Sequence, residues 1–148
     1  MKKMKKMKKE IIGRLETVDL PTWNIKEIEA KIDTGAYSSS LHCHNIEEFE
    51  KNDKNWVRFN LLDPDHPSYN DRLFSLPVLD SREVKSSNGQ TELRVFIETK
   101  ISFFGVEYPI ELSLTNRSEM KYPLLIGRKF LRKKFLVDVS KKNLSKTI

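Results

Sequence analysis

The stretch Ala30-Lys31-Ile32-Asp33-Thr34-Gly35-Ala36 delivers an apolar approach to a carboxylate, a hydroxyl and a glycine in immediate succession. An aspartate that ends an apolar strand is costly unless its charge is solvated, paired or used. Thr34 adds a short hydroxyl that can hydrogen-bond backbone, and Gly35 lets the chain turn tightly with its amides near the carboxylate. The chemistry such a cradle suits is water activation by paired carboxyls. Two of them about 3 Å apart share one proton, so one serves as base and the other as acid. The same residue types also build ordinary turns. One Asp33 cannot fill both roles, and the alternatives are poor: Asp80-Ser81 runs into Arg82 rather than glycine, and Asp138 stands in a basic segment without a turn signature. The mechanism therefore requires a homodimer, in which the two Asp33 carboxyls meet across a two-fold axis and the two Thr34 hydroxyls bridge the subunits.

Other candidate chemistry is thinner. His42, Cys43, His44 and His66 are the conceivable metal ligands, and His42 and His44 on an extended strand would point the same way. No His-Glu-x-x-His helix is present to hold catalytic zinc, and no phosphate-binding Gly-x-x-x-x-Gly-Lys-Ser/Thr loop for ATP, so neither a metal nor a cofactor is expected. Cys43 has no evident partner for thiol catalysis.

The elements that must position Asp33 are strands. Period-two alternation places Leu93, Val95, Ile97, Ile101 and Phe103 on one side of a strand, interrupted at Thr99, with Arg94, Glu98, Lys100 and Ser102 on the other. Val106 to Leu114 and Val57 to Leu61 repeat the pattern, and strands also suit Ile28 to Ile32, Phe74 to Leu79 and Phe135 to Val139. Asn88-Gly89 marks a two-residue hairpin turn inside 82–95. The stretch 128–135, Arg-Lys-Phe-Leu-Arg-Lys-Lys-Phe, is the one plausible helix, and the acidic stretch from Asn45 to Trp56 suits a helical turn or a surface loop. The expectation is one all-β domain, sandwich or barrel, over residues 11–148, preceded by a disordered basic tail over residues 1–10.

Five segments carry a family resemblance: Gly13 to Pro21, Ala30 to His42, Trp56 to Leu61, Arg82 to Ile97 and Leu114 to Leu131. In this order they resemble the retropepsin-like aspartic peptidases, and more closely the group often labelled ATP-dependent zinc proteases. The resemblance implies a retropepsin-like closed barrel with a flap hairpin and one short C-terminal helix. It implies an aspartic peptidase in which Asp33, Thr34 and Gly35 are catalytic. Ala36 and the hairpin tip, Ser86, Ser87, Asn88 and Gly89, would hold an extended peptide or protein substrate, and Gly127 and Arg128 would be structural, with Arg128 buried beneath the Asp33 loop. Relatives in that group are linked with ATP-grasp glutamate ligases, which implies such a ligase as partner and a glutamate-bearing chain as substrate. Two readings stand beside it: a non-catalytic β-barrel that binds peptides or a ligase partner, and a metal-dependent hydrolase built around His42 and His44.

Composition bounds these readings. A chain of 148 residues can bury a core without disulfides, and one cysteine permits no internal disulfide. With no signal-peptide hydrophobic region and no apolar run near the roughly 20 residues of a membrane helix, a cytoplasmic, non-membrane protein is expected. The net charge of +6 is unevenly spread: residues 1–9 hold six lysines, whereas 10–127 hold 13 basic and 20 acidic side chains. The body is acidic, which disfavours nucleic acid as a partner.

Overall fold

The computed structural model describes residues 9–61, 72–85, 89–116 and 122–147. The basic tail, apart from Lys9 and Glu10, lies outside the described residues, as do His66 and the hairpin-tip residues Ser86, Ser87 and Asn88. The strands in chain order are β1 (Glu10–Ile12), β2 (Leu15–Leu20), β3 (Ile25–Asp33), β4 (Ser39–Lys51), β5 (Lys54–Leu61), β6 (Leu73–Pro77), β7 (Asp80–Lys85), β8 (Thr91–Phe103), β9 (Val106–Thr115), β10 (Leu124–Gly127) and β11 (Phe135–Val137). One α-helix, α1 (Arg128–Leu131), follows β10, and no described helix is long and apolar enough to cross a membrane.

The main sheet runs β10-β3-β2-β8-β9-β4-β5-β6, with β7 branching from β8. β10 also meets β4 at Leu124↔Leu41 and Leu125↔Ser40. The expected closed barrel is corrected by this arrangement. β2 and β8 share a single registered pair, Asp19↔Ser102, so the seam there is minimal, and β6 and β7 each leave an outer edge open among the described residues. β8, at 13 residues, outruns its neighbours: its first half serves β7 and its second half serves β9.

Alternation explains most of the packing. Val95, Ile97, Ile101 and Phe103 are buried as their spacing requires, whereas Leu93, which leads the same stripe, is 70% exposed where β8 pairs with β7. Phe96 is buried on the opposite face because Arg82 of β7 covers it, guanidinium carbon 4.4 Å from the ring centroid. The acidic stretch expected as a helical turn or loop is instead the β4–β5 hairpin. Its tip residues Asn52 and Asp53 take φ of 52° and 62°, the left-handed pair of a two-residue turn that matches strand twist. The expected helix over 128–135 is cut to four residues: Lys133 turns to φ 70°, and Phe135 leaves to pair with Glu10 in the parallel β1–β11 ladder.

Rings anchor that end of the domain. Phe135 stacks on Phe103 at 5.0 Å between centroids, and Phe130 lies 5.9 Å from Phe135, so α1 and β11 are held to β8 by aromatic contact. The same end carries a buried carboxylate. Glu16 accepts hydrogen bonds from Gly13 N at 2.7 Å, Leu144 N at 3.1 Å, Ser145 N at 3.0 Å and Ser145 Oγ at 2.8 Å. It binds the start of the chain to its far end, a distance of about 128 residues in sequence.

Two stability predictions follow from these burials. Glu16→Ala strands three backbone donors and is expected to cost about 3 kcal/mol in a urea unfolding titration. Thr99, buried with a hydroxyl that has no hydrogen-bond partner among the described residues, gives the opposite case: Thr99→Val is expected to leave stability unchanged or raise it by about 1 kcal/mol in the same assay.

Candidate functional site

Asp33 is the last residue of β3 and lies beside Gly127, the last residue of β10, in a parallel register. Past Asp33 the chain must turn at once to reach β4. The turn is closed by Gly35 N donating to Asp33 Oδ1 at 3.0 Å and by Ala36 N donating to the Asp33 carbonyl at 3.2 Å. The loop is then laid across the start of α1: Arg128 N donates to Ala36 O at 2.8 Å and Lys129 N to Tyr37 O at 3.0 Å. Gly127 N donates to Ser39 Oγ at 3.0 Å. A Cβ on Gly127 would collide with Ser38 O and come within 2.7 Å of Tyr37 O and 2.8 Å of Ala36 O, so only glycine admits this crossing.

Arg128 is exposed, not buried as the resemblance implied. Its Nη1 donates to the carbonyls of Thr34 at 3.4 Å and Gly35 at 3.2 Å, and its guanidinium lies 5.4 Å from the Tyr37 ring centroid. Beside it, Lys129 Nζ donates to Glu111 at 2.9 Å, and Arg82 reaches the same carboxylate at 3.1 Å while bonding Asp80 at 2.7 Å. The hydrogen bond from Lys129 holds the Glu111 carboxyl below its ordinary value of 4.5, with burial opposing and Arg82 adding to the effect.

The reading of a hydrolase working through an Asp33 pair is corrected here. Among the described residues Asp33 accepts one side-chain hydrogen bond, from its own turn, and no second carboxylate joins it. Within this chain the aspartic-peptidase assignment finds neither a carboxylate pair nor the closed barrel that would frame one. For the metal-hydrolase reading, no three His, Cys, Asp or Glu side chains cluster among the described residues, and His66 lies outside them. His42 is buried, Cys43 is fully buried and its thiol is pushed well above its ordinary range by burial. Of the expected substrate-binding positions, Ala36 sits in the loop and Gly89 adopts φ 85° at the described end of the β7–β8 hairpin. Sequence reasoning missed Tyr37 and Lys129, which flank the loop. The signal available was the cation pair Arg128-Lys129 directly after Gly127.

The two loop glycines are expected to differ. Gly127→Ala meets backbone oxygens that cannot yield, and a loss of about 2 kcal/mol or more is expected by thermal unfolding. Gly35→Ala meets only the movable Asp33 Oδ1 at 3.2 Å and is expected to cost less than about 1 kcal/mol. Because the folded-state value of Glu111 lies below its unfolded one, its contribution is complete above pH 4.5 and is lost as pH falls through the lower folded value. Glu111→Gln is expected to reduce stability at neutral pH by up to about 1 kcal/mol, given partial exposure, and to flatten the acid limb of a melting-temperature profile.

The fold has solved company. A Legionella pneumophila protein of unknown function superposes with a TM-score of 0.73 at 28% identity, over 93% of this chain and 99% of that one. Proteins named "Probable alpha-L-glutamate ligase" from Shewanella pealeana and Shewanella halifaxensis are each 40% identical over 136 residues, and one from Parasynechococcus marenigrum is 38% identical over 135. Those matches take in 88–89% of this chain, yet the chain spans only 28–29% of the length of those relatives. A sequence profile described as "Retropepsin-like aspartic endopeptidase RimB" matches residues 11–147, and with so much of its length matched the chain belongs to the RimB-like family.

Proposed function

We propose that this domain is a peptide-binding module that works with a glutamate ligase, within one polypeptide or as a separate partner. The observation that carries the reading is the partial span of the ligase-named relatives: a unit like this one makes up 29% of proteins whose remaining length is something else. The geometry suits recognition of an extended chain. Among the described residues β6 and β7 keep open edges whose backbone groups can add a further strand, and the start of β8 opposite β7 carries exposed side chains. Asp33 has free carboxylate lone pairs for amide donors of such a peptide. Arg128, exposed and with Nε and Nη2 making no hydrogen bond to described residues, suits a glutamate side chain.

In this reading Asp33, Thr34, Gly35 and Ala36 form the floor of the peptide site, residues 86–89 its cover, and Gly127 and Arg128 its support. Pairing of two copies belongs to the same proposal, supported by Ile11 and Leu136, which are register partners and exposed apolar side chains, with exposed Val139 nearby in sequence. A cytoplasmic location is supported by the free, buried thiol of Cys43.

The test is a titration of a fluorescent glutamate-rich peptide, together with an assay of glutamate addition by a cognate ligase with and without this domain. Binding that weakens about tenfold in Arg128→Ala, and ligation that changes when the domain is removed, are the expected results. Absence of both effects, or cleavage of the peptide by the isolated chain, would overturn the reading. Sedimentation at several concentrations tests the pairing of copies, with a dimer the expected species.

A further inference from the structure

A pocket of about 220 Å³ lies behind the Asp33 loop, between Ser38 and Ser39 on one side and β8, β9 and α1 on the others. Its floor is apolar: Phe96, Ile110 and Phe130 line it and are all buried. Its rim is charged. Glu98 and Glu111 come from directly opposed positions of the β8–β9 ladder, and Lys129 and Lys134 come from α1 and the turn after it. The volume is below the roughly 300–1,000 Å³ of pockets for drug-sized ligands, so the occupant must be small.

The four rim charges are not equally satisfied. Glu111 is held by Lys129 and Arg82. Glu98, exposed, makes no hydrogen bond or ion pair among the described residues, although a like charge stands opposite it, an unfavourable placement in a ladder. Among the described residues Lys134 Nζ has only neutral partners: it donates to Phe130 O at 3.1 Å and sits 4.8 Å from the Phe130 ring centroid. An ammonium carries three donors, so two remain for a ligand. Among the described residues the pocket therefore presents one exposed anion and one half-exposed cation without a charged partner around a short apolar floor.

The structure assigns to this pocket, we propose, a free α-amino acid of neutral side chain. Its ammonium would meet Glu98 and relieve the repulsion between Glu98 and Glu111. Its carboxylate would meet Lys134, and its side chain would lie on Phe96, Ile110 and Phe130. Two carboxylates and two ammonium groups balance on the rim, which favours a zwitterion over a dianion or a dication. The inference does not rest on the ligase-associated reading and stands or falls separately from it.

A chain terminus offers the same chemistry in halves, an amino end carrying the cation and a carboxyl end the anion. Titrations of the full chain followed by ¹⁵N chemical shifts, with L-leucine, leucine amide and N-acetyl-leucine as probes, separate these sources. The expected result is that L-leucine shifts the amides of Phe96, Ile110 and Phe130, and that each blocked form binds at least about tenfold more weakly. Glu98→Gln is expected to abolish the discrimination against N-acetyl-leucine and Lys134→Met that against leucine amide, a pattern that a merely structural role would not produce. Equal binding of either blocked form, or no perturbation of these amides by L-leucine at millimolar concentration, overturns the proposal.

Discussion

The contact between Gly127 and the backbone of residues 36–38 is the constraint on which the site depends. Four residues of β10 run parallel to the end of β3 and meet β4 at their start, so the strand serves two neighbours that chain order alone would not bring together. Because position 127 has no side chain, three carbonyls of the Asp33 loop can lie against it, and the next two amides, of Arg128 and Lys129, are taken up by Ala36 and Tyr37. The orientation of Asp33 is thus set by backbone on both sides. Side-chain chemistry enters afterwards, through the Arg128 guanidinium on the Thr34 and Gly35 carbonyls.

Much of this frame was legible in the residues. Alternation identified the core face of β8 through Val95, Ile97, Ile101 and Phe103, and the Asp33-Thr34-Gly35 turn falls where an apolar strand stops. What alternation cannot supply is partner choice. Phe96 looks solvent-facing until β7 places Arg82 over it, and the stretch around Asn52-Asp53 reads as helix or loop until both residues adopt positive φ. The barrel expectation failed for a related reason. Closure depends on the number of registered pairs at each seam, and the lone Asp19↔Ser102 pair leaves no trace in periodicity.

The site shows why a motif and an activity are separate matters. Asp-Thr-Gly places one carboxylate in a tight turn, and paired-carboxyl chemistry needs a second acid at hydrogen-bond distance. In this domain the neighbouring charges are predominantly cations, Arg128 and Lys129, and the nearby acid Glu111 is committed to Lys129 and Arg82. Such surroundings suit holding a polar chain more than polarising a water molecule.

The parallel pairing of β1 with β11 sets the first strand beside the last, pointing the same way, and Glu16 clasps the segment beyond. Because the two strands run the same way, the chain leaves β11 at the opposite end of the ladder from its entry into β1, and the Glu16 clasp fixes residues 144 and 145 beside Gly13 at that far end.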